Sequence, residues 1–361
     1  MSLTIIRPFA EIAFAEEIKM LIELDRQVKP PNWQMSPWAV MNYIMGATLP
    51  NGTKITPKYF GDKKLVEIAI ATLLSDRALL LTGIPGTAKT WLAEHLTAAI
   101  SGSSDLLIQG TTGINEDALR YGWNYASLIK QGPTQEGLIP SPVMKAMESG
   151  KIVRIEELSR IPTEIQDALI TILSEKTLPI SELNLQVQAV QGFNLIATSN
   201  DQDKGVYEMS SALKRRFNII ILPLPATLEE EVNIVQYRIQ QIAKTIDISL
   251  ADIKEKQMEQ LVTLFRELRS GKTIDGKQKI KSTQAHLSPA EAISIIHQGR
   301  IHSYYFDQNN VTAEHLVPGI LNTLRQYDDA ELSTLNEYNE TILKKRAGWK
   351  EWYDVIKKNL D

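Results

Sequence analysis

The sequence predicts an α/β core built on a five-stranded, mainly parallel sheet, preceded by a helical extension and followed by an all-helical domain. Three observations carry this. Short apolar runs suited to strands buried on both faces recur at Ala78 to Thr82, Leu106 to Ile108, Ile152 to Ile155, Leu195 to Thr198 and Ile219 to Leu222. Helical segments separate these runs, and that alternation argues for parallel strands joined by crossover helices on both faces of a sheet. Past about residue 226 no convincing strand follows, so the last domain is expected to be helical. The expected divisions are 1–58 for the helical N-terminal extension and linker, 59–225 for the core and 226–361 for the helical domain with its C-terminal helix.

In the extension, Ile12, Ile18, Leu21 and Ile22 form a partial helical stripe, and the loop-like LPNGTKITPKYFGD follows. Further on, helix starts carry caps, in which a side-chain oxygen satisfies an orphan amide and an acid or amide reaches back. Thr163 with Gln166 opens TEIQDALITIL, whose Ile165, Ala168, Leu169 and Ile172 share one face. Thr227 with Glu230 opens TLEEEVNIVQYRIQQIA. Ser288 opens SPAEAISIIHQ, with Pro289 at the first helical position and Glu291 three residues on.

At 361 residues, 43% hydrophobic and 23% charged, the chain has a globular composition and room for two or three domains. A net charge of −4 supplies no global basic field to recruit nucleic acid. Without cysteine there are no disulfides, thiolate metal sites or cysteine nucleophiles. The five histidines are scattered, with His297 and His302 too far apart for one helical turn, so no zinc site is expected. The opening MSLTIIRPFAEIAFAEEIKM lacks the order of a secretory leader, and no apolar run approaches a membrane span. A soluble, cytoplasmic protein is expected.

GIPGTAKT, Gly83 to Thr90, is a phosphate cradle of the form G-x-x-x-x-G-K-[ST] with Ala88 in place of the second glycine. The strand ALLLT runs into it and the helix TWLAEHLTAAI leaves it, with Leu92, Leu96 and Ile100 on one face. Such a loop turns backbone N–H groups toward phosphates at a helix N-terminus, while the lysine supplies a point charge and the hydroxyl reaches magnesium. Gly83, Ile84, Pro85, Gly86, Thr87, Ala88, Lys89, Thr90 and Trp91 are therefore the nucleotide-binding candidates. In KIVRIEELSRIP, Glu156 stands at a strand tip to serve the metal, and Glu157 follows it as base to orient water. Asn200, ending NLIATSN, can hydrogen-bond the attacking water or the terminal phosphate. Arg215 and Arg216 in SSALKRRFNIIIL can steady phosphoryl charge from a neighbouring subunit.

These residues resemble those of the AAA+ ATPases, and within them the MoxR family, over about Phe60 to Arg300. GIPGTAKT is similar to that family's Walker A form, which has alanine before the lysine; IEELSRIP is similar to its Walker B stretch, ATSN to its sensor 1 and LKRRF to its arginine-finger segment. The resemblance implies an α/β P-loop core with a helical lid, ATP and Mg2+ as ligands, and a hexameric ring that acts as a remodelling chaperone. By the same likeness Lys89 and Thr90 bind phosphate and magnesium, Glu156 and Glu157 are the Walker B acids, Asn200 is sensor 1, and Arg216, or less directly Arg215, is a finger acting in trans. YFGDKKLVEIAIATLL resembles the family's entry helix and puts Phe60 and Gly61 near adenine. A partner with a von Willebrand factor A domain is implied as client. Two positions depart from the pattern: Glu156 replaces an aspartate, and Ala290 follows Ser288 and Pro289 where an arginine is common as sensor 2, so that either another cation substitutes, Arg300 being a candidate, or hydrolysis couples differently to lid motion.

Residues 112–140 fall where the family carries an insertion in helix 2. Tyr121, Trp123 and Tyr125 either pack beneath it or grip substrate. The polar QVQAVQG is placed to face a central pore. The basic loop Gly271 to Thr283 reads as a solvated connection, with nucleic-acid contact as the alternative, and Trp349, Trp352, Tyr353, Ile356 and Leu360 form either a packed face or an interface. Two other functions stay open: a motor stimulated by nucleic acid, and a nucleotide-gated scaffold without turnover.

Overall fold

The protein is described here by a computed structural model covering residues 6–200, 207–245, 252–307 and 310–360. It divides into two units, residues 1–84 with 88–222, and residues 85–87 with 223–361. Residues 1–5 of the expected N-terminal extension lie outside the described residues.

The first unit holds the sheet. Its strands are β1 (Ala78–Thr82), β2 (Leu107–Gln109), β3 (Ile152–Glu156), β4 (Asn194–Thr198) and β5 (Phe217–Ile221). They lie in the order β5-β1-β4-β3-β2, and every neighbouring pair is parallel. Side chains alternate between faces. Leu79, Leu81, Ile152, Ile196 and Ile220 pack on one side with the N-terminal helices and the helix Lys89–Ser101. Ala78, Leu80, Val153, Ile155, Leu195 and Ala197 pack on the other. Covering on both faces is why the central strands β1, β3 and β4, buried along their whole length, read as apolar runs, whereas the edge strands β2 and β5 are partly exposed. β5 starts two residues earlier than the sequence suggests, because Phe217 is buried and pairs with Ala78.

Of the three expected caps, two form. Glu230 N–H donates to Thr227 Oγ1 at 3.1 Å and Thr227 N–H to Glu230 Oε2 at 3.2 Å. Ser288 caps the helix Pro289–His302. The third fails: Thr163 Oγ1 donates instead to Glu208 O at 2.9 Å, and buried Gln166 donates to Ile161 O at 2.7 Å. With both side chains taken by loops, the expected helix divides into Thr163–Gln166 and Leu169–Ser174.

Within 112–140, Tyr121–Trp123 pairs antiparallel with Leu138–Pro140 around the short helix Tyr125–Gln131. Tyr121 is buried with its hydroxyl donating to Glu182, whereas Tyr125 is 71% exposed. Leu185–Gln188, from the polar stretch, pairs with Thr177–Ile180 as a second ribbon.

The second unit is helical, with an apolar core that takes in Trp349, Trp352 and Ile356, so the C-terminal aromatic face packs inward. Its histidines are less scattered than the sequence implies. Atoms of His302, Asp307 and His315 capable of ligation lie within 4.8 Å of one another. His315 Nδ1, however, accepts the Thr312 N–H at 3.0 Å, which leaves the ring proton on Nε2, 2.9 Å from Asp307 Oδ2. In that protonation state Nε2 offers a metal no lone pair. Among the described residues no helix is long and apolar enough to cross a membrane.

Candidate nucleotide site

β1 ends at Thr82, and the chain turns through Gly83 to Ala88 into the helix Lys89–Ser101. Ala88 has φ 65° and ψ 25°, a left-handed conformation that costs an L-residue roughly 1–2 kcal/mol. The turn therefore keeps the shape that a glycine would give it. Lys89 is buried, and its Nζ donates to Gly83 O at 2.8 Å and Ile84 O at 2.9 Å. Pro85, Gly86 and Thr87 are grouped with the second unit.

Thr90, one residue into the helix, donates its hydroxyl to Glu156 Oε2 at 2.8 Å. Glu156 is the last residue of β3, next to β4 in the sheet. The same Oε2 accepts the Thr198 hydroxyl at the end of β4, and Oε1 accepts Arg154 Nη1 at 2.9 Å. Glu157 sits just past the strand, also left-handed with φ 54°. Its N–H donates to Thr198 Oγ1 at 3.1 Å, and its Oε1 accepts Asn200 Nδ2 at 2.8 Å. Left-handed backbone at a non-glycine residue is the kind of outlier that concentrates at active sites. Lys89, Thr90, Glu156, Glu157 and Asn200 are thus all found at the C-terminal ends of three adjacent strands.

The other candidates lie apart from these contacts. Arg216 precedes β5; its Nε donates to Ser174 Oγ at 2.7 Å and its Nη1 to Ala212 O at 3.0 Å, while Arg215 is exposed. Among the described residues neither bonds to Glu156 or Glu157. Phe60 and Gly61 are exposed just before the helix Lys63–Leu73. Trp91 donates Nε1 to Lys58 O at 2.9 Å and stacks near His95. Burial pushes the Lys58 ammonium down to about 8. In the second unit Ala290 is the second residue of its helix, and Arg300 is buried about 15 Å further along the same axis. That distance separates Arg300 from the position it was to substitute.

Four residues at the site were missed in the sequence. Arg154 is a cation inside an otherwise apolar strand, which is its one signal. Thr198 is a lone hydroxyl closing NLIAT. Ser104, whose carbonyl accepts Arg154 Nη2 at 2.9 Å, and Gly110, whose N–H donates to Glu156 O at 2.7 Å, lie in loops without a distinguishing pattern.

Comparison with known proteins gives the family. Residues 78–217 match the AAA domain of the dynein-related subfamily, and residues 229–358 match the YehL-like AAA+ ATPase C-terminal domain. The uncharacterized protein YehL of Escherichia coli is 36% identical over 355 residues, which is 97% of this chain and 96% of that protein. The chain belongs to the YehL-like AAA+ ATPases. An uncharacterized protein of Staphylococcus haemolyticus is 31% identical over 44% of this chain and 60% of its own length. The crystal structure of NtrX from Brucella abortus in complex with ADP has a TM-score of 0.50 at 15% identity, covering 83% of this chain and 68% of that one, a likeness of fold.

Proposed function

We propose that this chain hydrolyses ATP, with Lys89, Thr90, Glu156 and Glu157 as its working residues. One observation supports this most: the Thr90 hydroxyl and the Glu156 carboxylate meet at 2.8 Å, beside a Glu157 held by Asn200. The available donors are a hydroxyl and a carboxylate, an all-oxygen set that suits a hard cation such as magnesium. Thr90 and Glu156 would hold a magnesium ion, which would supply positive charge to the phosphoryl oxygens.

Lys89 supplies the second positive charge, once its ammonium exchanges the Gly83 and Ile84 carbonyls for phosphate oxygens. Glu157 takes the proton of the attacking water, and Asn200 fixes the carboxylate that does so. In the glutamine variant Glu157→Gln, ATP binding is retained while turnover falls by about 10²–10⁴-fold. A variant turning over at the wild-type rate removes Glu157 from this role.

The finer proposal is a MoxR-type remodelling ring, supported by the likeness of GIPGTAKT, IEELSRIP, ATSN and LKRRF to that family. In it Arg216 leaves Ser174 and reaches the site of the next subunit, and the client carries a von Willebrand factor A domain. Mixing inactive Arg216→Ala and Lys89→Ala subunits then restores part of the turnover. Verified mixed assemblies without recovery at any ratio overturn the finger in trans.

A further inference from the structure

We infer that Arg154 is a positioning residue for the nucleotide site, fixing the Glu156 carboxylate so that glutamate can stand where aspartate is usual. The inference rests on the proposed nucleotide site and deepens it.

Glutamate is longer than aspartate by a methylene and has one more rotatable bond, so an unsupported Glu156 would lose torsional freedom each time it engaged a cation. Arg154 removes that freedom in advance. Two residues apart on β3, the two side chains share a face. Arg154 Nη1 lies 2.9 Å from Glu156 Oε1, and the side chains are only 3% and 4% exposed. This divides the carboxylate: Oε1 goes to the guanidinium, and Oε2 is turned to Thr90 and Thr198.

The arginine is itself anchored from behind. Its Nη2 donates to Ser104 O, and Ser104 in turn donates N–H and Oγ to the two carboxylate oxygens of Glu11, at 3.0 and 2.8 Å. A planar fork serves two acceptors at once, which a lysine ammonium on a flexible stem does not reproduce. A buried arginine in a strand is costly unless it is paired and hydrogen-bonded, and here Glu156 on one side and Ser104 O on the other supply the partners of the two terminal nitrogens.

The test uses the full chain and a fluorescent ADP, with affinity measured in EDTA and across rising free Mg2+. Arg154→Lys is expected to bind within about twofold of wild type in EDTA, while the Mg2+ concentration giving half of the tightening rises about fivefold, the size of one lost hydrogen bond. Arg154→Gln, uncharged but still able to donate one hydrogen bond, covers the case in which Arg154→Lys fails to fold, and it is expected to raise the Mg2+ midpoint at least as far. An arginine that is only structural would weaken both conditions alike. A folded Arg154→Lys or Arg154→Gln with the wild-type Mg2+ midpoint overturns the inference. Wild-type protein that binds nucleotide in neither condition overturns the site itself, and the inference with it.

Discussion

Glu156 in the first unit and Glu267 in the second are both buried, and each accepts an arginine and two further donors, yet the partners differ in kind. Glu267 Oε1 accepts Ile274 N–H at 2.7 Å and Arg346 Nη2 at 2.8 Å, and Oε2 accepts the Tyr338 hydroxyl at 2.5 Å. Burial and the neighbouring carboxylate push the Tyr338 phenol up, so it stays a donor. These partners come from a loop, a helix and a turn, and the acid ties them together. Glu156 meets two threonine hydroxyls instead, and a hydroxyl that donates still has lone pairs for a cation. The lesson is that burial and ion pairing by themselves do not mark a working acid. What separates the two is whether the partners can be exchanged for a ligand at open strand ends.

Substitution by leucine sharpens the contrast most. Glu267→Leu removes one partner of a buried pair, a change that typically costs about 3–5 kcal/mol, toward the lower figure here because the Arg346 side chain is 25% exposed. Urea unfolding measures it. Turnover per folded molecule should stay near wild type, whereas Glu156→Leu should lose both stability and turnover. If Glu267→Leu abolished turnover in folded protein, the two acids would not differ as described.

Gly110 gives a smaller effect on the same site. A Cβ there would stand 2.2 Å from Glu157 O and 2.9 Å from Glu156 O, so the backbone carrying both acids must move. Gly110→Ala should cost about 1–3 kcal/mol and reduce turnover. Gly113, whose Cβ would meet nothing within 4 Å, is the control, and Gly113→Ala should change neither. Equal losses in both variants would show that loop stiffness rather than crowding of the acids is responsible.

The contrast also explains what the sequence could and could not reveal. The three central strands were legible because burial on both faces makes them largely apolar, and Lys89, Thr90, Glu156 and Glu157 because strand ends are fixed points from which spacing can be counted. Arg154 breaks that apolar rule, and its meaning depends on Glu156 two residues on and on Ser104 fifty residues back. Glu267 looks like any helical glutamate, since its partners at 274, 338 and 346 come together only in the folded unit. Thr163 and Gln166 had a valid capping pattern, but Glu208 O and Ile161 O outcompeted it, contacts that no local pattern contains.

The smallest effect concerns two left-handed residues at the candidate site, Ala88 and Glu157. In the proposed role Glu157 needs its side chain, which would account for its strain. Ala88 has only a methyl group, and glycine should relieve it. Relief of about 1–2 kcal/mol is offset by the roughly 0.4–1 kcal/mol that glycine adds to unfolded-chain entropy, leaving Ala88→Gly more stable by about 0.8 kcal/mol. Nucleotide affinity should be unchanged, since the loop already has the glycine-like shape. Ala88→Val sets the opposite sign, because a β-branched residue is a worse occupant of left-handed backbone. Urea midpoints for the three forms should therefore rank glycine, alanine, valine. A glycine variant less stable than wild type would mean that the Ala88 methyl makes contacts worth more than its strain, and the turn would then be adapted to alanine rather than tolerant of it.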